Sequence, residues 1–254
     1  AYTDLKSRYD ETYGGFGKKP KFPSPHQFLL LLRYWESTSE EKALQMVTHS
    51  LQKMRSGGIY DQLGFGFHRY STDQFWILPH FEKMLYDQAM MVLAYLETFQ
   101  VTKDQSFFKT INEVLEYVSR DLQSPDGGFY TAEDADSEGE EGIYYIWKYE
   151  ELKNILSEDD FLLLKTYFDI RPEGNFKEEA TGKVSGANIL YRNSSPILEA
   201  DRPALEKIRK ILYENRDQRE HPFKDKKILT DWNGLMSAAF ARAGRILGND
   251  SFTR

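Results

Sequence analysis

The sequence predicts an all-α fold built from helical hairpins set in two concentric rings. Two observations carry this. Helices with a single apolar stripe alternate along the chain with helices that are apolar nearly all round, and a helix of the second kind must be enclosed by its neighbours. The connections are also asymmetric. Links from an enclosed helix to the next striped one, near 36–40 and 100–104, are short, whereas the reverse links are long and repeat a Gly-Gly-aromatic theme.

Taken in order, segment 2–13 carries a stripe of Tyr2, Leu5 and Tyr9, and 25–36 follows with the apolar run FLLLLRYW at 28–35. Ser24-Pro25 reads as a cap followed by proline at the first helical position. Thr38 with Glu41 reads as a capping box for 40–55, whose stripe is Leu44, Val47, Leu51 and Met54. Segment 79–99 is the next enclosed helix, with only Asp87 and Gln88 clearly polar between Met84 and Leu96. Segment 104–122 shows a single stripe (Phe107, Phe108, Ile111, Val114, Leu115, Val118, Leu122), with Lys109, Glu113, Glu116 and Arg120 facing away. Its partner is expected inside 148–168, where 157–160 breaks the pattern. Segment 202–217 (Leu205, Ile208, Leu212) is expected to pair with 230–247, capped by Thr230 or Asp231. The glycine pairs, Gly14-Gly15, Gly57-Gly58 and Gly127-Gly128, read first as left-handed helix caps. All three also place their loops at one end of the bundle, which is how a pocket mouth is built.

The chain has 254 residues, 40% hydrophobic, enough for one substantial core. A net charge of −7 and the lack of Lys/Arg clusters interleaved with aromatics exclude a nucleic-acid surface. The absence of cysteine excludes disulfides, thiolate metal sites and cysteine nucleophiles. No apolar run is long enough to span a bilayer, and the N-terminus lacks a signal pattern, so the expectation is a cytoplasmic protein without membrane contact. The missing initiator Met and the fresh helix-start signal at Asn249-Asp250-Ser251 lead us to expect a piece of a longer chain.

The most informative stretch is 57–89, GGIYDQLGFGFHRYSTDQFWILPHFEKMLYDQA, a long loop loaded with bulky hydrogen-bonding side chains. Together with GGFGKKPKFPSP at 14–25, AEDADSEGEEGIYYIW at 132–147 and LTDWNGLMSAA at 229–239, it resembles the spermatogenesis-associated protein 20 (YyaL-type) family. That resemblance implies a six-hairpin, (α/α)6-toroid carbohydrate-enzyme-like fold with about four of six hairpins present. It also implies a preceding thioredoxin-like domain, absent here, as a partner within the same full-length protein.

Within the loops, His68 and His80 are the expected proton-transfer pair, because imidazole titrates near neutrality. Sugar 2-epimerases with a similar toroid use such a pair beside an opened-ring carbonyl without metal. His80 is expected to begin the enclosed helix, with Lys83 and Asp87 on the same helical face. His26, His49 and His221 read as structural or surface residues. The competing chemistry is a glycosidase pair of carboxylates, roughly 5–9.5 Å apart, drawn from Asp61, Asp73, Glu82, Asp87, Asp134, Asp136, Glu141 and Asp231. We take Asp61, His68, His80 and Asp87 as catalytic candidates. Tyr60, Gln62, Tyr70, Asp73, Trp76, Glu82, Lys83, Tyr86, Asp134, Asp136, Trp147, Trp232 and Asn233 are the substrate-binding candidates, with Trp76, Trp147 and Trp232 expected to form a stacking platform for a sugar ring. The segment from Asp134 to Gly139 mimics the start of a calcium loop, but Tyr145 stands where the bidentate Glu is required. His68 and His80 lack the spacing of a helical zinc motif, so neither metal nor cofactor is expected. The expected function is sugar epimerase or isomerase chemistry. The alternatives are a glycoside hydrolase, or a non-catalytic toroid binding a glycan or protein and working with the thioredoxin-like domain.

Overall fold

The structure is a computed structural model describing residues 1–177 and 182–253. Six of its helices form a two-layered arc. Helices α2 (Pro25–Thr38), α4 (Leu85–Thr102) and α9 (Thr230–Leu247) stand side by side as the inner layer. Helices α1 (Tyr2–Arg8), α3 (Glu41–Ser56) and α5 (Gln105–Tyr117, extended by a π-helical turn Val118–Leu122) pack outside them. This is the hairpin arrangement of an (α/α) toroid. Helix α4 is central and is buried almost throughout, from Leu85 to Thr98. Its core neighbours are Leu31 and Leu32 of α2, Met46, Val47 and Leu51 of α3, Ile111, Val114 and Leu115 of α5, and Met236, Ala239 and Ala243 of α9.

The pairing beyond α5 differs from the expectation. After α5 the next inner helix is α9, and α6 (Tyr149–Ile155), α7 (Glu158–Tyr167) and α8 (Arg202–Arg216) form a separate unit inserted between them. The stripe of 202–217 does not face 230–247. Ile208 and Leu212 of α8 bury against Leu152, Leu156, Phe161 and Leu164 of α6 and α7 in a core of their own. A stripe reports only that one side is covered, not by what. The expected break falls at Ser157, whose hydroxyl caps α7 by accepting from Asp160 N.

Two of the three enclosed-looking helices have an open side. Leu30 of α2 and Leu235 of α9 are exposed. The caps also differ. Ser24 makes no side-chain cap bond, Glu40 rather than Thr38 caps α3 by accepting from Lys42 N, and α9 begins after Leu229 without a side-chain cap. Among the described residues no helix is long and apolar enough to cross a membrane.

The long links join the outer to the inner layer at one end: 9–24, 57–84 and 123–229. They are knitted together by Lys21–Ser71 pairing, by Trp76 Nε1 donating to Tyr13 O, and by a three-stranded sheet of β3 (Lys83–Met84), β4 (Ala132–Glu133) and β7 (Lys224–Asp225). Two glycine pairs are left-handed, but in turns and not as the expected helix caps; the caps there are Tyr9 and Gln123. The middle pair is not left-handed: a Cβ on Gly57 or Gly58 would lie 2.3 or 2.1 Å from the carbonyl oxygens of Trp76 and Ile77. Close backbone approach, rather than helix capping, demands glycine there.

Candidate functional site

The segment 79–84 decides the site. It is extended, not helical: β2 (Pro79–His80) pairs with β1 (Tyr70–Ser71), and β3 pairs with β4, so its backbone groups are used between strands and α4 starts only at Leu85. His80, Lys83 and Asp87 therefore do not share a helical face. An extended chain sends alternate side chains to opposite sides. Phe81 and Lys83 go inward, and His80 and Glu82 go to the other side.

On the inward side lies a closed ionic centre. Asp61 receives both terminal nitrogens of Arg216 at 2.8 Å and Lys83 Nζ at 2.9 Å, and also accepts from Leu63 N and Gly64 N. All three side chains are essentially buried. Burial opposes the charge on Asp61, but Arg216 and Lys83 more than offset it and hold the carboxyl well below the usual range. Burial lowers the Lys83 ammonium below its ordinary value. His68 lies against Phe81 and Tyr145, with Nδ1 bonded to Phe81 O at 2.8 Å, and burial pushes its pKa down to about 3. The space beside these groups is about 10 Å³, room for a single water at most.

On the other side the groups open to solvent. His80 is held between two carboxylates, Nδ1 at 2.7 Å from Glu141 and Nε2 at 3.7 Å from Glu82, with Tyr70 stacked on its ring at 5.0 Å. Glu82, despite partial burial, and then Glu141 raise the His80 pKa, so the imidazolium is favoured. Arg69 pairs with Glu82 at 2.9 Å, and Glu82 is correspondingly lowered, first by His80. Asp87, in the first turn of α4, is buried, and its Oδ2 has no hydrogen-bond partner. Burial raises its pKa to about 7, against the opposing pull of Arg69 and Tyr86. The helix dipole at this position favours the carboxylate, so desolvation outweighs it. Tyr86 meets Trp232 edge-on at 4.8 Å. Trp232, Glu82 and Asp134 line a pocket of about 270 Å³ floored by the β3–β4–β7 sheet.

The remaining candidates divide between these two sides or fall outside both. Tyr60 is buried, its hydroxyl donating to Glu113, and Gln62 is tied to Arg55 and Gly57. Asp73 closes its own turn, accepting from Phe75 N and Leu78 N. Asn233 holds the third Gly-Gly loop, bonding both Phe129 N and Phe129 O. Asp136 is exposed in the hairpin of β5 (Asp136–Ser137) and β6 (Glu140–Glu141). The three-tryptophan platform does not form. Trp76 is fully buried under Gly15 and Gly57, Trp147 is buried beneath Arg219, and only Trp232 reaches the pocket. Asp61, His68, His80 and Trp232 accordingly share an end of the fold but not a hollow.

Sequence reasoning missed Arg69 and Arg216. Arg216 carried a signal: it continues the Ile208, Leu212 stripe four residues on, a charge on a buried face that needs a buried acid. Arg69 carried none beyond its place between His68 and Tyr70.

These features define a helical-hairpin protein with a pocket lined by Glu82, Asp134 and Trp232 at its loop end. The chain belongs to the spermatogenesis-associated protein 20 family. It is 39% identical over 279 residues to spermatogenesis-associated protein 20 of Homo sapiens, covering 98% of this chain and 36% of that protein. It is 33% identical to an uncharacterized protein of Caenorhabditis elegans, over 95% of this chain and 37% of the other. The chain thus spans about a third of the length of the curated relatives it matches. No family model matches it. Among solved structures, a cellobiose 2-epimerase from Bacillus thermoamylovorans aligns at a TM-score of 0.47 and 12% identity, over 98% of this chain and 80% of that one. A GH76 alpha-mannanase from Bacteroides thetaiotaomicron aligns at 0.45 and 13%, over 99% and 63%.

Proposed function

We propose that the pocket lined by Glu82 and Trp232 performs proton transfer on a sugar, as an epimerase or isomerase does, with His80 beside Glu82 and Asp87 beside Tyr86 as the proton-transfer groups. The observation that carries this reading is Asp87: a buried carboxyl with a free Oδ2 and a pKa of about 7, next to Tyr86, whose ring meets Trp232. A carboxyl poised near neutrality gives and takes a proton with little penalty either way. Arg69, beside Glu82, supplies a fixed positive charge for a carbonyl oxygen that gains negative character. Trp232 and Tyr86 offer the aromatic faces a sugar ring packs on. Asp61 and His68 take a structural part in this reading, because both are sealed in the ionic centre, where the free space is about 10 Å³. The activity and substrates of the longer family members, and any role of a thioredoxin-like domain beside this one, belong to the same proposal.

The test is hydrogen exchange at C2 of reducing sugars in deuterated buffer, followed by NMR. Exchange is expected with the wild-type chain and not with Asp87→Asn or His80→Asn. Absence of exchange with every reducing sugar tried overturns the reading. A second reading is favoured by the divergence of Asp87 and Glu82, one carboxyl raised and one lowered, which is the acid–base division of a glycoside hydrolase. It predicts release of reducing ends from glycans, lost in Asp87→Asn and in Glu82→Gln.

A further inference from the structure

Behind the wall that carries His80 lies a larger cleft of about 1150 Å³. Its floor is apolar, made by Phe81, Tyr144, Ile146 and Phe176. Its rim carries Glu138, Glu140 and Glu220, which are exposed and have no ion-pair partner among the described residues. Two basic residues also line it. Arg219 is committed, donating to the carbonyls of Ile143, Tyr144 and Ile146 and to Glu151, while Lys148 stands at the rim. The cleft therefore presents hydrophobic surface below and an excess of negative charge above.

We propose that this cleft docks an extended peptide segment in which apolar and basic residues alternate, and that Glu141 makes the docked segment felt at His80. At about 1150 Å³ the cleft has room for a length of chain, and its apolar floor and acidic rim match a segment that is both apolar and basic. An extended segment sends alternate side chains to opposite sides, so one set meets the aromatic floor and the other the acidic rim. Glu141 lines the same cleft and accepts from His80 Nδ1 at 2.7 Å, so a cation drawn to Glu141 competes with the imidazole for it. The inference does not depend on sugar chemistry in the pocket of Glu82 and Trp232.

The test uses the full chain and a fluorescent peptide of about seven residues alternating Lys and Leu, extended at about 3.3 Å per residue. Binding is expected, weakened at least about tenfold by the combined exposed-site changes Glu138→Gln, Glu140→Gln and Glu220→Gln, with an unchanged circular dichroism spectrum confirming the fold. The His80 ring protons are expected to shift on binding. Glu141→Gln should abolish that shift while retaining most of the affinity. Four results overturn the proposal: no binding, equal binding of a Glu–Leu peptide, binding within about twofold in the triple variant, or displacement by an equal concentration of spermidine, which would show that the apolar floor contributes nothing. An unmoved His80 resonance overturns the coupling to Glu141.

Discussion

Asp61 and Arg216 form a bidentate pair, both bonds 2.8 Å long and both side chains buried, across 155 residues of sequence. The pair fastens the inserted α6–α8 unit to the loop that precedes α4. Removing one partner leaves a buried uncompensated charge, and such changes cost about 3–5 kcal/mol. Asp61→Asn is therefore expected to lower unfolding stability by that order in urea titration. Loss of stability below about 1 kcal/mol would show that the insertion is held by its apolar contacts instead.

Asp87 is expected to oppose stability where it supports chemistry. Its folded pKa of about 7 lies above the unfolded carboxyl value of about 3.9. A group raised on folding contributes stability that is fully present below its unfolded pKa and is lost as pH rises toward its folded pKa. Between about pH 4 and pH 7 the wild-type chain should thus lose stability through Asp87, of the order of a few kcal/mol. Asp87→Asn should be more stable than wild type at pH 8 and inactive in C2 exchange. A less stable Asn variant at pH 8 would contradict the assigned protonation.

His80 and His68 should titrate far apart. Nuclear magnetic resonance is expected to give His80 a midpoint above the ordinary imidazole value, because Glu82 and Glu141 favour its charged form. His68 should stay neutral until about pH 3 because it is desolvated. Glu141→Gln should lower the His80 midpoint and leave His68 unmoved. For His80 the stabilising contribution is present below the unfolded imidazole pKa and fades as pH climbs through its raised folded value.

Trp232 and Trp76 should separate binding from folding. Trp76→Ala removes a fully buried indole and the bond to Tyr13, and is expected to cost about 3–5 kcal/mol of stability in denaturant titration. Trp232→Ala should cost much less stability but weaken sugar binding by roughly tenfold, about 1.4 kcal/mol, measured by calorimetry. Equal stability losses in the two variants would place Trp232 in the core.

The sequence by itself determined the helices and their grouping. The stripe of α5, the enclosure of α4 and the common end of the Gly-Gly loops follow from periodicity and backbone freedom, which are local properties. It also singled out the polar loop 57–89 that supplies Asp87, His80 and Glu82. Tertiary structure alone decided three things. It decided that α8 covers α6 and α7 and not α9, because an amphipathic stripe does not name its partner. It made 79–84 a strand, because its hydrogen-bond partners at 69–71 and 131–133 are distant in sequence. And it separated Asp61 and His68 from His80 and Glu82, since the alternation of an extended chain sends neighbouring side chains to opposite faces, one sealed by Arg216 and one open to water.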